Sequence, residues 1–499
     1  LEQEFKIREV GVFKKLAGQT AIYGLSSIVG RMINFLLVPI YTAVLQPADY
    51  GILSELYAYV AFLLVFLTFG METTYFKFIH EAKNKHKAFS QAFIILAAVN
   101  ALVLVLGILM INSISAWMLY REYPEFILLL LLIVVLDAIS SLPLAKLRAE
   151  EKPLTFAKVQ LISIFTNIAL NLILLFFIFN PKTDDPYWGI LYILISNLVA
   201  SLLKVLLLHQ SILEVNWKIE KETTRAMLKY TFPIVLAGLA FVVNETLDRI
   251  LLKQILNNPE LLPAEYEGTP LRYAETQVGI YSANYKLTMF ITLFLQAFRY
   301  AAEPFFFSNA GRDPKRKMYG KIMNVLVAVL CAAFLLVVLN MDFFKKFISN
   351  AEYHVGLNVV PILLLANIFL GIYASQSIWY KLSGQTKFGA YISIGGAILT
   401  ISLLFLFIPS YGYMAAAWTT FTVYGLQMIV SYLLSRRYYP IPYNLKKTGL
   451  YFILALGIFG LSKWIALDSG LLKFTIHNLL LLLFLAIAWF FEKNTIKNV

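Results

Sequence analysis

Charge is scarce in this chain: Asp, Glu, Lys and Arg make up 14% of its 499 residues, against 60% hydrophobic residues. A water-soluble domain needs roughly 25% charge to cover its surface, so a soluble protein is excluded and most of the surface must face lipid. Cysteine is nearly absent. The single Cys331 lies in the apolar run 325–338, forms no intrachain disulfide and reads as a packing residue. Histidines are few and scattered: His80, His86, His209, His354 and His477 share no metal-ligand spacing. No nucleophile stands beside a base, so neither a cofactor nor a metal nor a catalytic centre is expected. A long extramembrane segment is missing too. The longest, 254–276, contains Pro259, Pro263 and Pro270 and reads as a surface loop. That weighs against a membrane sugar polymerase, ligase or glycosyltransferase. No cleavable signal peptide is evident, because the first apolar segment is too long for a signal h-region.

What the sequence does have is apolar length. One helix needs about 20 apolar residues to cross hydrocarbon, and fourteen spans are expected, at 17–43, 50–78, 88–112, 122–146, 154–179, 187–210, 227–253, 277–302, 318–342, 353–380, 387–408, 411–434, 447–467 and 471–491. Their apolarity is continuous and does not alternate every second residue, which indicates helices and not barrel strands. The expected fold class is an all-α polytopic membrane protein.

The formal net charge of +13 would suggest nucleic acid as a partner of a soluble protein. Here the basic residues gather in alternate loops: Lys6, Arg8, Lys14 and Lys15; Lys83, Lys85 and Lys87; Lys146, Arg148 and Lys152; Lys218, Lys221 and Arg225; Arg312, Lys315, Arg316 and Lys317; Arg436, Arg437, Lys446 and Lys447. The opposite loops hold fewer, with acids such as Asp184, Asp185, Glu260, Glu265 and Glu267. The positive-inside rule then places both termini in the cytoplasm, and no nucleic-acid partner is expected.

An internal repeat organises the spans. Helix two opens Gly51-Ile52-Leu53-Ser54-Glu55-Leu56-Tyr57 and helix eight Gly279-Ile280-Tyr281-Ser282-Ala283-Asn284-Tyr285, both reading G-I-x-S-x-x-Y. A second echo follows helices four and ten, Lys146–Lys152 against Lys381–Lys387. Both pair helix n with helix n+6. Six is even, so the halves share orientation, a transporter arrangement with the substrate site expected between them. The expected organisation is a cytoplasmic segment 1–16, an N-lobe 17–210 (helices one to six), a cytoplasmic linker 211–226, a C-lobe 227–434 (helices seven to twelve), and an appended pair with a cytoplasmic C-terminus, 435–499.

Charges inside spans are costly, about 2.5–3.5 kcal/mol each on insertion scales, so they need partners or a wet cavity. Arg31 shares a helix-one face with Tyr23, Ser27 and Asn34 and reads either as a cavity wall or as half of an ion pair with Glu72 or Asp248. In helix eight Ser282, Tyr285, Lys286, Thr292, Gln296, Arg299 and Glu303 fit one face; Arg299 and Glu303 are spaced to pair, whereas Lys286 has no acid within its own helix. Helix seven adds Asn244, Glu245, Asp248 and Arg249, with Glu245 and Arg249 spaced as a local pair and Asp248 suited to Lys286 or to cation coupling. Asp137 reads as a lone acid in helix four, beside Ser140 and Ser141, suited equally to a proton or sodium site and to packing. Gln160, Ser163, Asn167 and Asn171 line one face of helix five and suit either hydroxyl-rich ligands or interhelical bonds. Arg31, Arg249, Lys286 and Arg299 together suggest a site for an anion such as a diphosphate, which Arg matches bidentately and Lys meets as a point charge.

The stretches Gly18–Tyr57 with Leu45-Gln46-Pro47-Ala48-Asp49-Tyr50-Gly51, Asp248-Arg249-Ile250, Val278–Lys286, Gly384-Gln385-Thr386-Lys387 and Ile408–Tyr413 with Ala415–Ala417 resemble the MOP transporter superfamily, specifically its polysaccharide-biosynthesis (Wzx-type) flippases. The resemblance spans most of the first twelve helices. It implies an alternating-access carrier of two six-helix lobes that moves a polyprenyl-diphosphate-linked oligosaccharide from the inner to the outer leaflet of a bacterial or archaeal cytoplasmic membrane. Its other implied partners are membrane lipids and a coupling cation, H+ or Na+, and it is expected to work as a monomer. The substrate-binding residues would be Arg31, Asn34, Arg249, Tyr285, Lys286, Gln296 and Arg299, with Asp137, Glu245 and Asp248 as ion-coupling candidates. The related lipid II flippases also line their cavity with basic residues, so that cargo stays open. The drug-exporting MATE branch often relies on an acid in helix one, where this chain has Arg31. A membrane scaffold does not call for the charged stripe of helix eight, and 80–89 lacks the Gly/Asp/Arg-rich pattern of major facilitators.

Overall fold

Proline marks where many of the helices begin. Its ring fixes φ near the helical value, and its missing N–H is one that a first helical turn leaves unbonded anyway. In the computed structural model, which describes residues 32, 35–81, 85–296, 298, 316–464 and 470–496, this device opens α2 (Pro47–Thr68), α4 (Pro124–Ala149), α5 (Pro153–Ile173), α6 (Pro186–Leu207) and α8 (Pro270–Lys286). Asp185 caps α6 by accepting from the Tyr187 N–H at 2.9 Å, and Thr269 caps α8 by accepting from the Arg272 N–H at 3.2 Å. The other long helices are α3 (Lys85–Leu109), α7 (Lys221–Leu256), α9 (Arg316–Leu339), α10 (Val359–Gln376), α11 (Lys387–Tyr411), α12 (Tyr413–Tyr438), α13 (Leu445–Trp464) and α14 (Gly470–Ile496); α1 (Val38–Val44) is short.

Eleven helical stretches among the described residues are long and apolar enough to cross a membrane, and no strand occurs among these residues. The protein is a multi-pass, all-helical membrane protein. These eleven stretches overlap expected spans two to seven, nine to eleven, thirteen and fourteen. The expected first span lies largely outside the described residues, with α1 at its end. Expected span twelve coincides with the more polar α12. Expected span eight starts earlier than anticipated, at Pro270, and is interrupted. After Lys286 the hydrogen bonding tightens to i→i−3 steps, Leu287 N–H to Asn284 O at 3.1 Å and Thr288 N–H to Tyr285 O at 3.0 Å, before helix resumes at Met289. Of the helix-eight stripe, Ser282 is packed inside, while Tyr285 and Lys286 before the break and Thr292 and Gln296 after it are half-buried. A second break follows α2, where Gly70 takes a φ of +60° that the residue tolerates for want of a Cβ.

The chain folds into two compact units, one containing Ile52–Thr246 and the other containing Val38–Gly51 and Leu247 onward. In the first, α4 packs on α3 and α6, and α5 packs on α6. Ser163 of α5 donates to Ala200 O at 2.9 Å, and Asn171 donates back to Asn167, so these members of the helix-five stripe serve packing. Lys146 is buried with its ammonium on Glu214 and over the Phe89 ring at 4.8 Å; beside Lys146 the Glu214 carboxyl is held below its usual range. Glu72, an expected partner of Arg31, accepts from Arg148 at 2.7 Å.

In the second unit α10 and α12 form the central contact, and α13 and α14 dock on α9. The segment 38–51 is fastened here residue by residue. Tyr353 is fully buried; its hydroxyl donates to Leu45 O at 2.8 Å and its ring meets Tyr50 edge-on. Asp49 accepts from Arg272 at 2.6 Å. Gly51 and Gly279, the first residues of the two G-I-x-S-x-x-Y repeats, lie back to back: a Cβ on Gly51 would fall 1.9 Å from Glu275 O, and one on Gly279 would fall 1.7 Å from Pro47 O. Only glycine permits α2 and α8 to cross at this distance.

Candidate membrane-depth charge sites

Inside hydrocarbon a charged side chain finds no water, so what each one meets reveals its use. In the second unit α7 contributes adjacent Asp248 and Arg249, both buried. Asp248 Oδ1 accepts from the Arg249 backbone N–H at 2.9 Å and from its guanidinium at 3.0 Å, and Oδ2 accepts from the Tyr281 hydroxyl at 2.6 Å. The guanidinium also lies over the Tyr285 ring, 4.6 Å from its centroid, and 5.6 Å from that of Tyr281. The expected partnership of Asp248 with Lys286 is replaced by this closer one, because residue 249 is adjacent and Tyr281 comes from the facing helix. Glu245 sits half-buried one turn earlier on α7.

Lys286 is the last residue of α8, at the break. It is within electrostatic reach of Arg249, and among the described residues no carboxylate lies within ion-pair distance of it. Gln296 lies half-buried further along the same span. Arg31, Asn34 and Arg299 lie outside the described residues. Of the expected substrate residues, the structure thus brings together Arg249, Tyr285 and Lys286.

Lys253 and Glu275 extend the charge toward the segment 38–51: Lys253 is fully buried 3.7 Å from Glu275, and Arg272 lies between Glu275, at 3.8 Å, and Asp49. Arg272, expected in a loop, is in the first turn of α8.

In the first unit Asp137 is not a lone acid. Its Oδ1 accepts from Ser201 and from Lys204, each at 2.8 Å, both on α6. Ser140 and Ser141, the hydroxyls expected beside it, bond to carbonyls of their own helix instead. Tyr57 of α2 completes the group: its hydroxyl accepts from Asn197 of α6 at 3.1 Å and lies within reach of the Asp137 charge. Lys204 escaped notice in the sequence, although Asn197, Ser201 and Lys204 follow the four-then-three spacing of one helical face. Glu55 of α2 was likewise passed over. It is fully buried and accepts from the Tyr120 hydroxyl. A cavity of about 290 Å³ in this unit, lined by residues such as Tyr59, Leu106, Gly107, Trp117 and Leu131, is apolar and contains none of these charges.

The family described as "Polysaccharide biosynthesis protein" matches residues 16–310, more than half of the chain. No curated protein matches by sequence. Among solved structures, "Lipid II flippase MurJ, inward closed conformation" is similar with a TM-score of 0.66 at 15% identity, covering 95% of this chain and 99% of that one. "Inward-facing conformation of a multidrug resistance MATE family transporter of the MOP superfamily" is similar with a TM-score of 0.62 at 13% identity, covering 84% and 94%. At such identities the likeness is one of fold.

Proposed function

We propose, from the premise that this chain belongs to the polysaccharide biosynthesis protein family, that it is a flippase carrying a polyprenyl-diphosphate-linked oligosaccharide from the inner to the outer leaflet of a cytoplasmic membrane. Both termini lie on the cytoplasmic side in this reading, the repeated halves alternate access, and the prenyl tail stays in lipid while the headgroup crosses.

The observation that carries the proposal is Lys286. Its ammonium stands at the α8 break, beside Arg249 and without a carboxylate among the described residues. Asp248 already holds Arg249 and Tyr281. An ammonium left this way is poorly solvated until an anion arrives, and a diphosphate supplies several oxygens for both cations. A hydrogen bond to a charged group contributes about 1.5–3 kcal/mol, so losing the Lys286 charge should slow transport about tenfold to a hundredfold. The Arg249 guanidinium, fixed by Asp248 and stacked on Tyr285, gives the planar fork that matches phosphate.

The test is flipping of polyprenyl-diphosphate sugars in liposomes containing the purified protein, beside complementation of a flippase-deficient strain. Wild type should flip them and Lys286→Gln should not keep pace, with equal amounts of folded protein in the bilayer. Equal rates for the two proteins would end the argument from Lys286. Running lipid II alongside separates an oligosaccharide cargo from a peptidoglycan precursor.

A further inference from the structure

The group around Asp137 has the composition of a cation site. A carboxylate from α4 and two hydroxyls, Ser201 and Tyr57, offer hard oxygen donors of the kind that alkali and alkaline-earth ions take. Three helices of one unit contribute to it. The cation that meets the carboxylate is covalent: the Lys204 ammonium lies 2.8 Å from Asp137 Oδ1, on the same oxygen that accepts from Ser201. A metal ion approaching that oxygen would meet a like charge at contact distance in a medium that screens poorly. Elsewhere among the described residues no group of three or more His, Cys, Asp or Glu side chains is placed to hold a metal.

We propose that Lys204 is a tethered counter-ion, doing permanently at Asp137 what a bound sodium ion would do, so that sodium has no role at this acid until the lysine is removed. The site is then a latent alkali-cation site closed by its own protein. One consequence rests on the flippase reading above: any coupling ion that acts at Asp137 during transport is not sodium. The site itself does not depend on that reading, and its test involves no cargo.

The experiment is thermal unfolding of the purified protein in detergent, in sodium chloride and in choline chloride at equal ionic strength. Wild type should melt at the same temperature in both. Lys204→Ala should melt lower in choline by at least about 2 °C and recover most of the loss in sodium, since the cage then has a vacancy. Lys204→Ala combined with Asp137→Asn should show no sodium effect, and Lys204→Arg, which keeps the charge, should melt near wild type in both salts. Sodium stabilisation of wild type that disappears in Asp137→Asn would overturn the proposal, because a metal ion would already act there. So would a Lys204→Ala protein that melts like wild type, or one that melts lower and gains nothing from sodium, which would leave a plain ion pair. Should Lys204→Ala fail to fold, wild type against Asp137→Asn in the two salts still decides the first of these.

Discussion

Asp137 in α4 and Asp248 in α7 are held by like chemistry in different units. Each carboxylate takes one hydroxyl hydrogen and one cation: Ser201 and Lys204 on Asp137, Tyr281 and Arg249 on Asp248. Around Asp137 the charges then balance. Around Asp248 a further cation, Lys286, stands at a helix break within reach of Arg249. The difference separates two uses of charge at membrane depth. A matched pair ties helices together, since separating it would strand each charge in hydrocarbon. A cation with no carboxylate within ion-pair distance, as Lys286 is among the described residues, ties no helices in that way and is the charge that the proposed function uses.

The largest effect that would sharpen this contrast comes from removing the acids. Asp248 and Arg249 keep only 7% and 10% of their side chains exposed, against 26% for Asp137 and 18% for Lys204. Stranding a buried charge costs about 3–5 kcal/mol, so Asp248→Ala should lower stability by that order. Asp137→Ala should lower it by less, about 1–2 kcal/mol. Denaturation of the two variants in detergent measures both, and adding Lys286→Gln to Asp248→Ala should recover part of the loss by removing one of the two neighbouring cations. Equal losses for the two acids, with no recovery, would break the comparison.

The lysines should then behave oppositely. Lys286→Gln leaves the melting temperature unchanged or raises it while transport falls about tenfold or more; Lys204→Gln lowers the melting temperature because Asp137 loses its countercharge. Paired melting and liposome assays read both quantities. A Lys286→Gln protein that is destabilised as strongly as Lys204→Gln would make Lys286 another structural charge. Of the same order as the Asp137 loss are the hydroxyls. Tyr281→Phe and Ser201→Ala each remove one donor from a carboxylate that keeps its cation, and each should cost about 1–2 kcal/mol. Tyr281→Phe should be the more costly, because Asp248 is the more buried acid.

Much of this was legible in the residues, and the omissions have physical causes. Continuous apolar runs gave the helices away, and Asp248 and Arg249 in helix seven stand one span before Tyr285 and Lys286 at the end of G-I-x-S-x-x-Y. What stayed hidden was partnership across helices. Asp137 looked alone because Lys204 is 67 residues away in sequence, and only the packing of α4 on α6 joins them. The α8 break was invisible because Leu287 and Thr288 are neither Gly nor Pro; tertiary contacts, such as Asn367 of α10 donating to Thr288 at 3.3 Å, accompany it. The Gln46–Gly51 motif was recognisable as a pattern before its purpose was. Asp49 serves Arg272, Tyr50 meets Tyr353, and Gly51 admits the α8 backbone.

The smallest predicted effect lies outside the membrane and bounds the contrast from the other side. Asp342, just after α9, accepts from Lys345 and from Lys473 of α14, each at 2.7 Å. These two ammonium groups, Lys345 foremost, hold its carboxyl at about 2, below its ordinary value of 3.8. A carboxyl depressed in the folded state stabilises the fold above its unfolded value and loses that contribution as pH falls through the folded one. The stabilisation should therefore be complete near neutrality and fade between about pH 4 and pH 2. Asp342 is 61% exposed, so solvent screens the pair and Asp342→Asn should cost no more than about 0.5 kcal/mol at neutral pH. Melting curves of the variant and wild type should converge as the pH is lowered through that window. A triad of one acid and two lysines in water would then be nearly silent where a matched pair at membrane depth is not. A loss at Asp342 as large as that at Asp137 would mean that depth in the membrane does not set the worth of these charges.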